Sequence, residues 1–448
     1  MERKEEGEMA IKVPRRIATT LMNSLKGGVV PRIGLGYIAV GREQEIKALL
    51  NDVDIIEEGG STFRFLVGRY GAGKSFLLQT IRTHVMDRGF VVIDADLSPE
   101  RRLMGTKGQG LATYKELIQN MSTKTKPDGQ ALPLILEKWI SGIKTQVMQE
   151  MGENTDALEF SKKIKSKIFE NIASLEGMVH GFDFAKVITM YYEAYEEADD
   201  EKKSKVLKWF RGEYTTKTEA KNELGINIII TDDNWYEYVK LFATFLVNAG
   251  YKGMLMLVDE LVNLYRIPTS VTRQYNYEKI LMMYNDTLQG KAKHLGIIMG
   301  GTPQCVEDTR KGIFSYDALR SRLTEGKFAS EDTVNLLSPI IRLKRLTPDE
   351  MFILIEKLRD IHSDLHEYKS ELTQEDLMSF IKIEYERVGA NTNITPREVI
   401  RDFIELLDIL YQNPNKKFSD IIGDEKFEFA KGDNTEEEES KEFEDFEV

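Results

Sequence analysis

The sequence predicts an α/β fold: a five-stranded parallel sheet, interrupted by a large helical insertion and closed by a C-terminal helical lid. Three features lead there. Five short apolar runs, 63–67, 89–95, 254–258, 295–299 and 339–343, have the length of buried strands, and helical patterns separate them. The first run leads directly into Gly68-Arg69-Tyr70-Gly71-Ala72-Gly73-Lys74-Ser75, and Phe76-Leu77-Leu78 then begins a helix. The third run ends in two carboxylates, Asp259 and Glu260, where open α/β sheets place their ligands.

Taken in order, a loose charged start gives way to a helical pattern at 15–26, closed by Gly27-Gly28. A second helix follows Gly41-Arg42-Glu43, and the strand, glycine-rich loop and helix come next. The stretch from 96 to 252 is far longer than a plain crossover needs. Its pattern is helical at 113–122, 131–151, 156–174, 181–196, 201–212 and 233–249, the last with Asp232 and Asp233 at its start. Three further helices are expected at 348–361, 373–387 and 395–411. Thr347-Pro348-Asp349-Glu350 and Thr395-Pro396-Arg397-Glu398 read as N-terminal capping signatures for the first and third. The resulting division is an N-terminal segment 1–36, a nucleotide-binding core 37–122 and 231–346, an insertion 123–230, a lid 347–412 and an acidic tail 413–448.

Composition narrows the function. No run approaches the ~18 apolar residues of a membrane span, and the N-terminus has no apolar signal segment, so a cytoplasmic protein is expected. Cys305 is the sole cysteine, which rules out an intrachain disulfide. The five histidines suggest no metal-ligand spacing on this reading, and a zinc site is not expected. Net charge is −13, but residues 433–448 carry nine acids against Lys441, so the remaining chain is nearly balanced. Nothing global points to nucleic acid. The tail has the composition of a disordered solubilising or docking segment.

The loop 68–75 matches G-x-x-x-x-G-K-S in the strand–loop–helix setting that phosphate binding requires. Glycines let backbone N–H groups curl around phosphate oxygens, and the helix N-terminus adds a positive dipole. Gly68, Tyr70, Gly71, Ala72, Gly73, Lys74, Ser75 and Phe76 are the expected nucleotide contacts. Lys74 would neutralise the β- and γ-phosphates of ATP, while Ser75 and Asp259 would hold Mg²⁺. Glu260 would orient and polarise the attacking water, so adjacent Asp-Glu favours hydrolysis of ATP to ADP over transfer to a second substrate.

In this order, Val40-Gly41-Arg42-Glu43, the phosphate loop, Asp259-Glu260, Thr302, Leu319-Arg320-Ser321-Arg322-Leu323 and Pro396-Arg397 resemble an AAA+ P-loop ATPase, nearest the initiator branch. More closely, the chain resembles the ATP-binding proteins of bacterial BREX phage-defence systems, the D component, from about Arg15 to Leu410. The distinctive phrases are Trp209-Phe210-Arg211-Gly212-Glu213, Asp232-Asp233-Asn234-Trp235-Tyr236, Val258 to Tyr265, Tyr284 to Gly290 and Gly300-Gly301-Thr302-Pro303. The resemblance implies a homo-oligomeric ATPase serving other defence-system proteins around DNA. Mapped on, Thr302 corresponds to the polar first sensor, Arg322 (with Arg320 as substitute) to an arginine finger, and Arg397 to the second sensor. Val40 and Gly41 would lie near adenine, with Arg42 and Glu43 structural.

The large insertion departs from the initiator pattern, and too few residues follow Leu410 for a winged-helix domain, so DNA binding does not carry over. Local candidates for DNA are Arg101, Arg102 and Lys107 around Gly105–Gly110, Lys162 to Lys167, and Lys202 to Arg211. Each also reads as an ordinary ion-paired surface, and the aromatic pairs Trp209/Phe210 and Trp235/Tyr236 as core. Two functions stay open: an ATP-driven enzyme of a defence complex, or an ATP-dependent switch that recruits partners with little turnover.

Overall fold

A computed structural model describes residues 13–151, 156–324, 335–387 and 395–422. The acidic stretch 433–448 lies outside the described residues. The chain divides into two compact units, 44–69 with 80–343, and 1–43 with 70–79 and 344–448.

The larger unit is built on five strands: β1 Ser61–Val67, β2 Val91–Asp96, β3 Met254–Asp259, β4 Leu295–Gly301 and β5 Ile340–Arg342. All pairs are parallel, in the order β2-β3-β4-β1-β5. β3 and β4 are buried along nearly their whole length, as continuous apolar runs covered on both faces must be. Gly296 lets β4 pack closely, since a Cβ there would lie 2.4 Å from Cδ1 of Ile56 and push that side chain aside.

The sheet shares one continuous hydrophobic core with the helices of the insertion. Phe65, Ile93 and Met256 belong to the same cluster as Trp139, Phe184, Trp209 and Trp235. Trp209, Phe210, Trp235 and Tyr236 are all buried, so the aromatic pairs are core. The insertion's basic runs are ion-paired: Lys167 with Glu150, Lys203 with Asp200, Lys205 with Glu201, and Lys208 with Glu219.

Most expected helices form within a residue or two of their expected ends. The segment expected at 113–122 instead runs Gln109–Gln119. Its start is set by a distant side chain: the Asp232 carboxylate accepts from the Gly108 N–H at 2.8 Å and the Leu111 N–H at 2.7 Å. Its end is set by Ser122, which leaves helical geometry to bridge β2 through Val92. Asp232 therefore caps a helix some 120 positions upstream in sequence, not the one that follows it. Trp235–Asn248 begins instead after Asn234, whose Oδ1 accepts from the Thr231 N–H. The helix Ser270–Leu288 escaped the sequence reading because buried Arg273, Asn276, Lys279 and Asp286 break its apolar period.

The smaller unit packs Arg15–Lys26, Pro348–His366, Gln374–Arg387 and Pro396–Gln412 around a second core including Leu21, Leu358, Phe380 and Phe403. Both expected capping boxes form, Thr347 with Glu350 and Thr395 with Glu398.

Candidate nucleotide site

β1 carries the chain to Gly68, whose N–H donates to the Gly301 carbonyl at 3.1 Å. Beyond it Gly71 (φ 71°) and Gly73 (φ 86°) adopt the left-handed backbone that only glycine takes freely. A Cβ on Gly73 would meet nothing within 4 Å, so it is the left-handed backbone and not crowding that favours glycine there. The helix Lys74–Asp87 then begins. The Lys74 ammonium lies 5.4 Å from the centre of the half-exposed Tyr70 ring, and Ser75 is exposed in the first turn. Curled glycines, a lysine and a hydroxyl at a helix start form a donor set suited to phosphate and a hard divalent cation.

At the C-terminal edge of the sheet, register aligns Asp96 of β2 with Asp259 of β3, and Val67 of β1 with Gly301 of β4. Glu260, immediately after β3, has φ 62°, and its N–H donates to Asp259 Oδ1 at 2.8 Å. A left-handed glutamate is strained, and such strain collects at functional positions. The turn is pinned by Asn263, whose amide donates to the Leu97 carbonyl at 2.9 Å and the Glu260 carbonyl at 3.3 Å. Asp96 was not singled out in the sequence, where it reads only as the end of an apolar run. Burial of its carboxyl, followed by the charge of Asp259, raises its pKa. Oxygen donors from β2 and β3 thus meet at one edge, as a magnesium site requires.

Thr302 follows β4 and is nearly buried. Its Oγ1 accepts from the Cys305 N–H at 3.4 Å, capping the short helix Pro303–Glu307. As an acceptor in this cap, the Thr302 hydroxyl keeps its proton to donate elsewhere.

In the smaller unit the loop packs on the start of Pro396–Gln412. A Cβ on Gly71 would lie 2.5 Å from Thr395 Cβ. Arg397 is exposed one turn along, its aliphatic stem covering Gly28. Arg42 is buried, with Nη2 donating to the Ala72 carbonyl at 3.0 Å and to the Lys344 carbonyl at 2.6 Å. It is a strut under the loop, as its structural assignment implied. Val40 and Phe76 are half-buried against the same core, and a Cβ on Gly41 would run into the Glu350 carboxylate.

The family model described as BREX system ATP-binding protein BrxC/D matches residues 13–426. The chain belongs to this family. Comparison with curated proteins gave no match. Membership in a family of BREX ATP-binding proteins accounts for the phosphate loop and assigns the chain to phage defence. Of the phrases distinctive of the BREX proteins, the residues that stand out now have physical roles. Asp232 caps Gln109–Gln119, Trp235 Nε1 donates to the Leu103 carbonyl at 3.1 Å, and Asp286 takes Lys240 at 2.7 Å in a buried pair.

Other candidates sit apart from this BREX core chemistry. Arg322 is exposed and Nη1 donates to the Ala318 carbonyl of its own helix, Asp317–Leu323. Arg320 pairs with Asp317 at 2.8 Å. Arg101 is held by the Asp96 carbonyl and Glu116, in keeping with a surface loop. Among the described residues, no helix is long and apolar enough to cross a membrane.

Proposed function

We propose that this BREX protein is a magnesium-dependent AAA+ ATPase that hydrolyses ATP and works as a homo-oligomer with other components of its defence system on DNA. The observation that carries the reading is the strained Asp259-Glu260 turn at the edge of a sheet whose β1 leads into a complete phosphate loop. Lys74 and the loop N–H groups bind the phosphates and gather the charge that builds on the transferring group. Ser75 and Asp259 would hold Mg²⁺, which would supply positive charge against the phosphates. Glu260 holds the attacking water by accepting its hydrogen bond and takes its proton as the water oxygen bonds to the γ-phosphorus, the bond from that phosphorus to the bridging oxygen breaks, and ADP leaves with that oxygen.

The strand order supports this assignment. β4 lies between the loop-bearing β1 and the acid-bearing β3, so a polar residue directly after β4 is suited to sense the γ-phosphate. Thr302 fills that position. Arg397, beside the Thr395–Gly71 packing, reports lid position to the nucleotide. Arg322 serves a neighbouring subunit: a planar guanidinium spreads charge over phosphate oxygens, and its exposure suits action in trans.

The direct test is ATP turnover against protein concentration for wild type and Arg322→Ala. Shared sites make specific activity rise with concentration in the wild type and stay low, by ~10³-fold or more, in the variant. Equal activity at every concentration would remove the trans role.

A further inference from the structure

The smaller unit also holds a cluster that nucleotide chemistry does not use. His362 and His366 are one turn apart near the end of Pro348–His366, and Asp408 reaches them from Pro396–Gln412. The i, i+4 spacing puts both imidazoles on one helical face, contrary to the expectation of no metal-ligand spacing among the histidines. Nitrogen and carboxylate atoms of all three residues lie within 4.8 Å of one another. The two imidazole rings are centred 4.5 Å apart, and the His366 ring also lies 4.6 Å from that of Tyr411, tilted by 34°.

We propose that His362, His366 and Asp408 form a binding site for a borderline divalent cation of the Zn²⁺ class, clamping the two long lid helices together. The closest pair already has nearly the right separation. His362 Nε2 and Asp408 Oδ1 are 3.1 Å apart, and two ligands on a tetrahedral ion with ~2.05 Å bonds sit ~3.3 Å apart. Only His366, in the last turn, has to turn inward.

The surroundings are those of a ligand set with its supporting shell. His362 Nδ1 is 2.9 Å from the Tyr368 hydroxyl. Without a cation Nε2–H donates to Asp408; with one bound, the proton sits on Nδ1 and donates to Tyr368, which frees the Nε2 lone pair for the ion. Asp408 uses its other oxygen for Lys26, so the ammonium does not occupy the oxygen facing His362. Three protein ligands leave a fourth position for water. Soft thiolate is absent, so Zn²⁺ or Co²⁺ fits better than a sulfur-seeking ion.

The test is Co²⁺ titration of the metal-stripped full chain without nucleotide, in excess Mg²⁺, followed by visible absorption. One equivalent should produce the intense band of four-coordinate cobalt, and Zn²⁺ should abolish it. His366→Gln, a change near the helix end, should weaken Co²⁺ binding ~100-fold or more, and Tyr368→Phe ~10-fold through loss of the supporting bond. Circular dichroism of each variant should match the wild type, separating lost ligation from lost folding. No band at one equivalent, or a band that persists unchanged in folded His366→Gln, would overturn the site.

Discussion

Glu260 shows what a single residue contributes beyond its side chain. A glutamate at φ 62° costs backbone energy of order 1–3 kcal/mol, held by the Asp259 carboxylate and the Asn263 amide. The sequence makes the two acids visible but not this geometry, because dihedral strain leaves no mark in residue identity. Gly71 illustrates the same division. Its place in the loop is legible from spacing, yet its packing on Thr395 is not, since the two are far apart in the chain. Gly71→Val should therefore abolish ATP binding, measured with a fluorescent nucleotide, and leave far-ultraviolet circular dichroism intact. Arg42→Ala should lower ATP affinity and cost about 2–3 kcal/mol in urea unfolding, because two carbonyls lose a charged donor. Arg42→Lys should restore little of this, since one ammonium cannot replace the planar fork.

Elements are legible where local pattern decides them and obscure where a distant residue does. The helices Arg15–Lys26 and Pro396–Gln412 follow directly from amphipathic period and capping residues. The boundary of Gln109–Gln119 does not, because its N-terminal N–H groups are satisfied by Asp232. The same chemistry that makes aspartate a cap for its own helix let it be assigned to the wrong one. Asp232→Ala should destabilise the larger unit by about 1–2 kcal/mol in chemical denaturation. Amide exchange should speed up around 108–111 and stay unchanged in Trp235–Asn248. Ser270–Leu288 was hidden for the opposite reason: its polar residues are interior ones, each engaged by an ion pair or hydrogen bond. Lys240 meets Asp286, and the Asn276 side chain accepts from the Leu103 and Met104 N–H groups.

At the scale of the molecule, a buried ion pair ties distant segments of the larger unit together. Arg64 of β1 donates to both oxygens of Asp52, at 2.6 and 2.7 Å, and to the Ser338 carbonyl at 2.5 Å, linking the helix Glu43–Glu57, β1 and the approach to β5. Arg64→Ala should destabilise by about 3–5 kcal/mol, mostly because the Asp52 charge is stranded. Adding Asp52→Asn should recover part of that loss, as a thermal melt would report. The architecture was legible because five apolar runs, a phosphate loop and an acidic strand end restrict the topology. The shared core of sheet and insertion was not, because the insertion's aromatics reveal their partners only in three dimensions. The central claim is hydrolysis, and it rests on Glu260. The most direct measurement is steady-state ATP turnover with parallel equilibrium ATP binding for wild type and Glu260→Gln. Unchanged affinity with turnover reduced by ~10²–10⁴-fold in the variant is the predicted result. Turnover that is negligible in the wild type, or unchanged by the substitution, would contradict it and leave a protein that binds ATP as a switch.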